Sequence, residues 1–150
     1  MSNIAKFAAY AAAFEKGFES DDWDDVEAWF AEDAVYEVEL DPPMGGRFEG
    51  RSAILAYFPF VLDAFDRHFE SRELALLDGP TETDDSVWIR GTATYRAADV
   101  PEFVLELEET LTFDGDKIRH MVDHYEPAMK QAIDAYLTAN GAKLGISFPE

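Results

Sequence analysis

Phe103-Val104-Leu105-Glu106-Leu107-Glu108-Glu109-Thr110-Leu111-Thr112-Phe113 reads as a strand with one residue out of place. Period-two alternation puts Phe103, Leu105, Leu107, Leu111 and Phe113 on one face, with Glu109 among them. Glu106, Glu108, Thr110 and Thr112 take the other face. A carboxylate on an apolar sheet face is costly unless it keeps a proton, finds a partner or opens onto a lined cavity. Two readings follow: a pocket lies against this face, or Glu109 stands at a sheet end and reaches water.

The elements on either side favour the pocket. Asp114-Gly115-Asp116 is a turn signal, so a further strand at Lys117 to Tyr125 pairs back as a hairpin. Upstream, Phe69 to Leu77 and Ser86 to Ala97 read as two more strands. Phe7, Ala11, Phe14 and Phe18 recur at helical steps, predicting a helix from about Ile4 to Glu19. Ser20, Asp21 and Asp22 then offer caps for a second helix with a Trp23, Val26 and Phe30 stripe. Val35 to Leu40 reads as a short strand, and Asp41-Pro42-Pro43-Met44-Gly45-Gly46 as a loop. Ser52 is expected to cap a third helix from Ala53 to Phe65, kinked or split at Pro59. Pro127 opens a last helix, with Met129, Ile133, Tyr136 and Leu137 on one side, closed by Asn140 and Gly141. The order implies an α+β fold in which helices pack on one curved antiparallel sheet, a cone with room for a small ligand.

Composition narrows the function classes. The chain has 150 residues, 47% hydrophobic and 14% aromatic, enough for one substantial core. Thirty-two acidic against 12 basic residues give a formal charge of -20, which repels nucleic acid and anionic membranes. Such acidity raises the hypothesis of a salt-rich cytoplasm. Without cysteine there is no disulfide, thiolate metal site or cysteine nucleophile. No apolar run is long enough to span a membrane, and a cytoplasmic location is expected. Gly45-Gly46 lacks the following lysine of a phosphate loop, so nucleotide binding has no support.

Three stretches carry a family resemblance: Ala31-Glu32-Asp33-Ala34, Phe48-Glu49-Gly50-Arg51-Ser52-Ala53-Ile54 and Thr112-Phe113-Asp114-Gly115-Asp116-Lys117-Ile118. In this element order they resemble the nuclear transport factor 2-like superfamily, in its SnoaL-like and ketosteroid-isomerase-like branch, over about residues 4 to 126. The resemblance implies a conical domain; with the C-terminal helix, which lies outside the resemblance, a single domain is expected over residues 1–142, followed by a tail at 143–150. It also implies a homodimer formed through the outer sheet face.

The resemblance further implies site residues. Asp41, before Pro42 and upstream of Gly50, matches the isomerases' proton-shuttling base; read from its neighbours alone it is a turn residue capping its own backbone. Glu109 falls on the position of a protonated oxyanion-hole acid. Asp123, six residues after Lys117, matches the general base of SnoaL-like cyclases; alone it reads as an exposed carboxylate near a strand end. It shares a strand face with Met121 and Tyr125, whereas His120 and His124 share the other with Ile118 and Val122. That split argues against a metal centre built from His120, Asp123 and His124, and no metal or other cofactor is expected. The family's helical hydroxyl donors fall on Phe14, Phe30 and Phe58, which cannot donate. Tyr10, Tyr36 and Tyr57 are the candidates to compensate, and Tyr57, Trp88, Tyr36, Phe14 and Phe58 the candidates to bind substrate. The implied activity is carboxylate proton transfer on a small apolar molecule, of isomerase, cyclase or hydratase/hydrolase type. The alternative is a non-catalytic module for ligand binding or dimerisation, which the missing hydroxyls favour.

Overall fold

The computed structural model describes residues 1–147; the last three residues of the expected tail lie outside the described part. Helix α1 spans Asn3–Ser20, capped by the Ser2 side chain, which accepts from the Ala5 amide at 3.1 Å. Trp23 lies against α1 where Gly17 has no side chain: a Cβ there would meet the indole at 2.7 Å. The second helix, α2, is a single turn, Asp24–Glu27. Phe30 opens strand β1, Phe30–Val38, instead of closing that helix, and β1 starts five residues before the expected Val35. Its pairing with the last strand, Lys117–His124, shifts register between Phe30 and Val35, so neither helical nor simple strand periodicity reveals that start.

Strand β2, Gly46–Glu49, pairs antiparallel with β1 and emerges from the expected loop. Helix α3 spans Arg51–Ala64, with Gly50 at its N-cap (φ 92°), not Ser52. It continues through Pro59, with Phe58 and Leu62 both 2% exposed in the core; their packing holds an axis that the proline alone would break. A 3-10 turn at Asp66–His68 leads into β3, Ser71–Glu82, β4, Ser86–Arg96, β5, Phe103–Asp114, and β6, Lys117–His124. Helix α4, Pro127–Leu144, runs past Asn140 and Gly141 to a left-handed cap at Gly145. Ile146 beyond it is buried, so the chain is still packing inside the expected tail.

The sheet order is β2-β1-β6-β5-β4-β3. Every neighbouring pair is antiparallel except β1–β6, which is parallel. Helices α1 and α3 cover the concave face, and the core between them includes Val26, Phe30, Ile54, Phe58, Leu111 and Met121. Phe103 to Phe113 alternates as its sequence demands, with Phe103, Leu105, Leu111 and Phe113 buried and Val104 and Glu106 exposed. On β6 one expectation changes. Phe113 pairs with Ile118 but Thr112 with His120, which leaves Arg119 as an extra residue. The bulge turns Ile118 inward, fully buried with Met121 and Asp123, rather than outward with the histidines.

Candidate active site

A cavity of about 430 Å³ lies between the concave sheet face and helices α1 and α3, within the roughly 300–1,000 Å³ of small-molecule sites. Apolar side chains make most of its wall: Phe14 on α1, Phe58 on α3, Ile89 on β4, and Leu105 and Leu107 on β5. Helix α4 contributes nothing to it. That helix instead packs beyond the far end, where the Tyr136 ring lies tilted 4.5 Å from Phe103 and the His68 ring meets the Leu144 carbonyl at 2.9 Å.

Two carboxyls enter this apolar space. Glu109 and Asp123 are direct register partners on β5 and β6, and their side chains are within hydrogen-bonding reach of each other. Asp123 is buried, and its Oδ2 accepts a short hydrogen bond from the Tyr36 hydroxyl on β1. Its Oδ1 is buried and has no hydrogen-bond donor among the described residues. Burial, and then the neighbouring Asp123 charge, push the Glu109 carboxyl well above the usual carboxylate range. Burial also raises Asp123, but hydrogen bonds from Glu109 and Tyr36 oppose that rise. Both carboxyls are thus pushed upward by burial, Glu109 the further because the Asp123 charge adds to it, and the two titrate as a coupled pair.

Four tyrosines surround the dyad. Tyr36 is committed to Asp123, and the Tyr57 hydroxyl to the Met44 carbonyl, which ties α3 to the loop after β1. Tyr10 and Tyr125 line the same cavity without a hydrogen bond to another described residue. Tyr10 lies one helical turn before Phe14, on the same face of α1.

At the other end stands a second polar group. Tyr95 on β4 donates to Asp66 Oδ2 at 2.8 Å, and Arg72 Nη1 on β3 reaches both oxygens of Glu15 on α1 at 3.0 Å. Arg72 Nε stands 3.0 Å from Asp66 Oδ2 with its N–H aimed off that line, so this contact is an ion pair rather than a hydrogen bond. Burial raises the Asp66 pKa, against the lowering influence of Arg72 and Tyr95.

Of the residues singled out in the sequence, Glu109, Asp123, Tyr36, Tyr57, Phe14 and Phe58 all line this cavity. Two do not. Asp41 is exposed, and its carbonyl accepts from Gly45 in the turn after β1. Trp88 lies on the outer sheet face between inward Val87 and Ile89, donating to Glu108 at 3.1 Å. His120 and His124 are also outside, each 2.6 Å from a β1-side glutamate, Glu37 and Glu39. His124 and its neighbours Glu108 and Glu126 bring ligand-type atoms within 4.8 Å of one another, on the sheet face opposite Asp123. Asp66, Arg72 and Glu15 were not singled out. The signal for Arg72 was the same as for Glu109, a charge alternating with Leu74 and Leu76 on an inward face; Asp66 sits in a turn where no periodicity applies.

No curated protein matches the chain. Among solved structures, TerC co-crystallised with polyporic acid is 18% identical, with 91% of this chain and 98% of that chain covered and a TM-score of 0.67. A nuclear transport factor 2-like protein of unknown function from Burkholderia pseudomallei K96243 is 20% identical, with 92% and 99% covered and a TM-score of 0.66. A protein of ketosteroid isomerase-like fold from Catenulispora acidiphila DSM 44928, in complex with trimethylamine, is 17% identical, with 82% and 89% covered and a TM-score of 0.60. At such identities the likeness concerns the fold alone. The sequence itself goes further, because the model of the SnoaL-like domain matches residues 8–121, most of the chain and including Glu109. With that match and the conical α+β architecture, the chain belongs to the SnoaL-like domain family of the nuclear transport factor 2-like superfamily.

Proposed function

We propose that this protein is a small-molecule enzyme that moves a proton on an apolar substrate, using the Glu109–Asp123 dyad at the end of the cavity. One observation carries the reading: two carboxyls face each other on the wall of a mostly apolar chamber, where a purely structural pair would be costly. Asp123, kept ionised by Tyr36 and by the proton on Glu109, acts as the base. Glu109 is its protonated partner and returns the proton. Negative charge that develops on a substrate carbonyl needs a donor, and the uncommitted Tyr10 hydroxyl stands in for those absent at Phe14, Phe30 and Phe58. The chemistry is of isomerase, cyclase or hydratase/hydrolase type. The ligands of two fold relatives, polyporic acid and trimethylamine, support a small organic molecule as the occupant.

A binding module without turnover is the second reading, favoured by phenylalanine where the family's donors stand. The test is proton exchange in deuterium oxide with a panel of small apolar ketones bearing acidic α-hydrogens. Catalysed deuterium incorporation that disappears in Asp123→Asn and Glu109→Gln supports the enzyme; binding without exchange across the panel supports the module. We further propose a cytoplasmic homodimer joined through the outer sheet face, where Val104 is exposed. A monomer by light scattering would refute that assembly.

A further inference from the structure

We infer that the cavity accepts neutral or cationic ligands and that Glu15 is the residue that closes it to anions. The inference rests on the proposed role of the cavity as the ligand site and concerns the class of molecule it takes. Among the described residues, five lining side chains carry acidic or basic groups other than tyrosine hydroxyls: Glu15, Asp66, Glu109 and Asp123 are acids, and Arg72 is the one base. A guanidinium on a cavity wall is the natural anchor for a carboxylate, sulfonate or phosphate, because its fork of N–H groups matches two oxygens. Here that fork is already compensated. Glu15 holds Nη1 with both oxygens at 3.0 Å, and Asp66 stands 3.0 Å from Nε. An incoming anion would have to displace Glu15 or become one more negative charge beside it.

The place of the ion pair sharpens its effect. Leu74 and Leu76 on β3 line the cavity yet are 51% and 54% exposed, which marks the mouth beside that strand. Arg72 and Glu15 join α1 to β3 next to those leucines. A ligand entering there passes the carboxylate of Glu15 first, in a chain whose net charge is already -20.

Two fluorescent probes that differ by one sulfonate test this: neutral N-phenyl-1-naphthylamine and anionic 8-anilinonaphthalene-1-sulfonate, with each required to displace the other. Wild-type protein should bind the neutral probe at one site per chain and the sulfonate at least about tenfold more weakly. Glu15→Gln frees the Arg72 charge, so the ratio of the two dissociation constants should shift toward the sulfonate by about tenfold or more. Adding Arg72→Gln should abolish that gain, which separates a freed cation from the mere loss of a negative charge. Equal affinities in the wild type, or a ratio unmoved by Glu15→Gln in protein that melts normally, would overturn the inference while the cavity remains a ligand site. Failure of both probes to bind folded wild-type protein would instead remove the cavity reading on which it rests.

Discussion

Glu109 and Asp123 stand directly opposite each other on antiparallel strands β5 and β6, both turned into the same apolar cavity. Close cross-strand side chains of like charge repel, and here neither has a basic partner to relieve the conflict. Such a pair is tenable when one of its carboxyls keeps a proton, and a proton so held is also the means of acid–base chemistry.

Asp123→Asn should lower turnover by about a hundredfold to ten-thousandfold, the usual range for a positioned base. Glu109→Gln should also lose activity, because an amide donates to Asp123 but cannot return a proton. Both variants should keep the wild-type circular dichroism spectrum. Steady-state kinetics on any ketone that exchanges deuterium checks this, and wild-type rates in either variant would contradict it.

Stability should move the other way. Burial raises the Glu109 pKa in the folded state, so between the unfolded and folded values the native protein binds more protons than the unfolded chain. The carboxyl's contribution is fully present below the unfolded value of about 4.3 and is lost as pH rises through the folded one. Glu109→Gln removes this dependence. Its melting temperature should therefore exceed that of the wild type at pH 7 to 8, with the gap closing as pH falls toward about 4. A variant less stable at neutral pH would argue against a buried, unpaired dyad.

Tyr36→Phe should shift the acid limb of the pH–rate profile to higher pH. The Tyr36 hydroxyl lowers the Asp123 pKa by bonding its ionised form, and removing it lets burial push the base further up. An unchanged profile would mean that Asp123 is not the titrating base.

Legibility of the fold followed periodicity. β5 was readable because its two faces differ residue by residue, and the same alternation put Asp123 and Met121 on one face of β6. Periodicity is uninformative where strands slip. Arg119 is an extra residue that reverses Ile118, and the irregular start of β1 hid Phe30 and the second helix's true end. Strand β2 follows a proline- and glycine-rich loop, and its four residues are held by pairing with β1, a tertiary fact. The site was legible at Glu109 and Asp123. Asp41 matched a family spacing, but spacing says nothing of where a loop points, and Trp88, a candidate to bind substrate, alternates with inward Val87 and Ile89 and so takes the outer face. Asp41→Asn and Trp88→Phe should accordingly leave turnover within about twofold of wild type, as surface changes away from a site do.

A charge of -20 on 150 residues should make stability salt-dependent. Screening shortens the range of repulsion among surface carboxylates, so the melting temperature should climb as KCl rises from about 0.1 to 1 M, where the Debye length falls to about 3 Å. Indifference to KCl would remove the hypothesis of a salt-rich cytoplasm.

The most direct measurement is an NMR pH titration of the side-chain carboxyl carbons, with Glu109 and Asp123 assigned from Glu109→Gln and Asp123→Asn. The account predicts that Glu109 keeps its proton well above the ordinary carboxylate range and that its titration moves when Asp123 is replaced. Glu109 titrating near its ordinary value of about 4.3, unaffected by Asp123→Asn, would contradict the proton-holding dyad and the catalysis built on it.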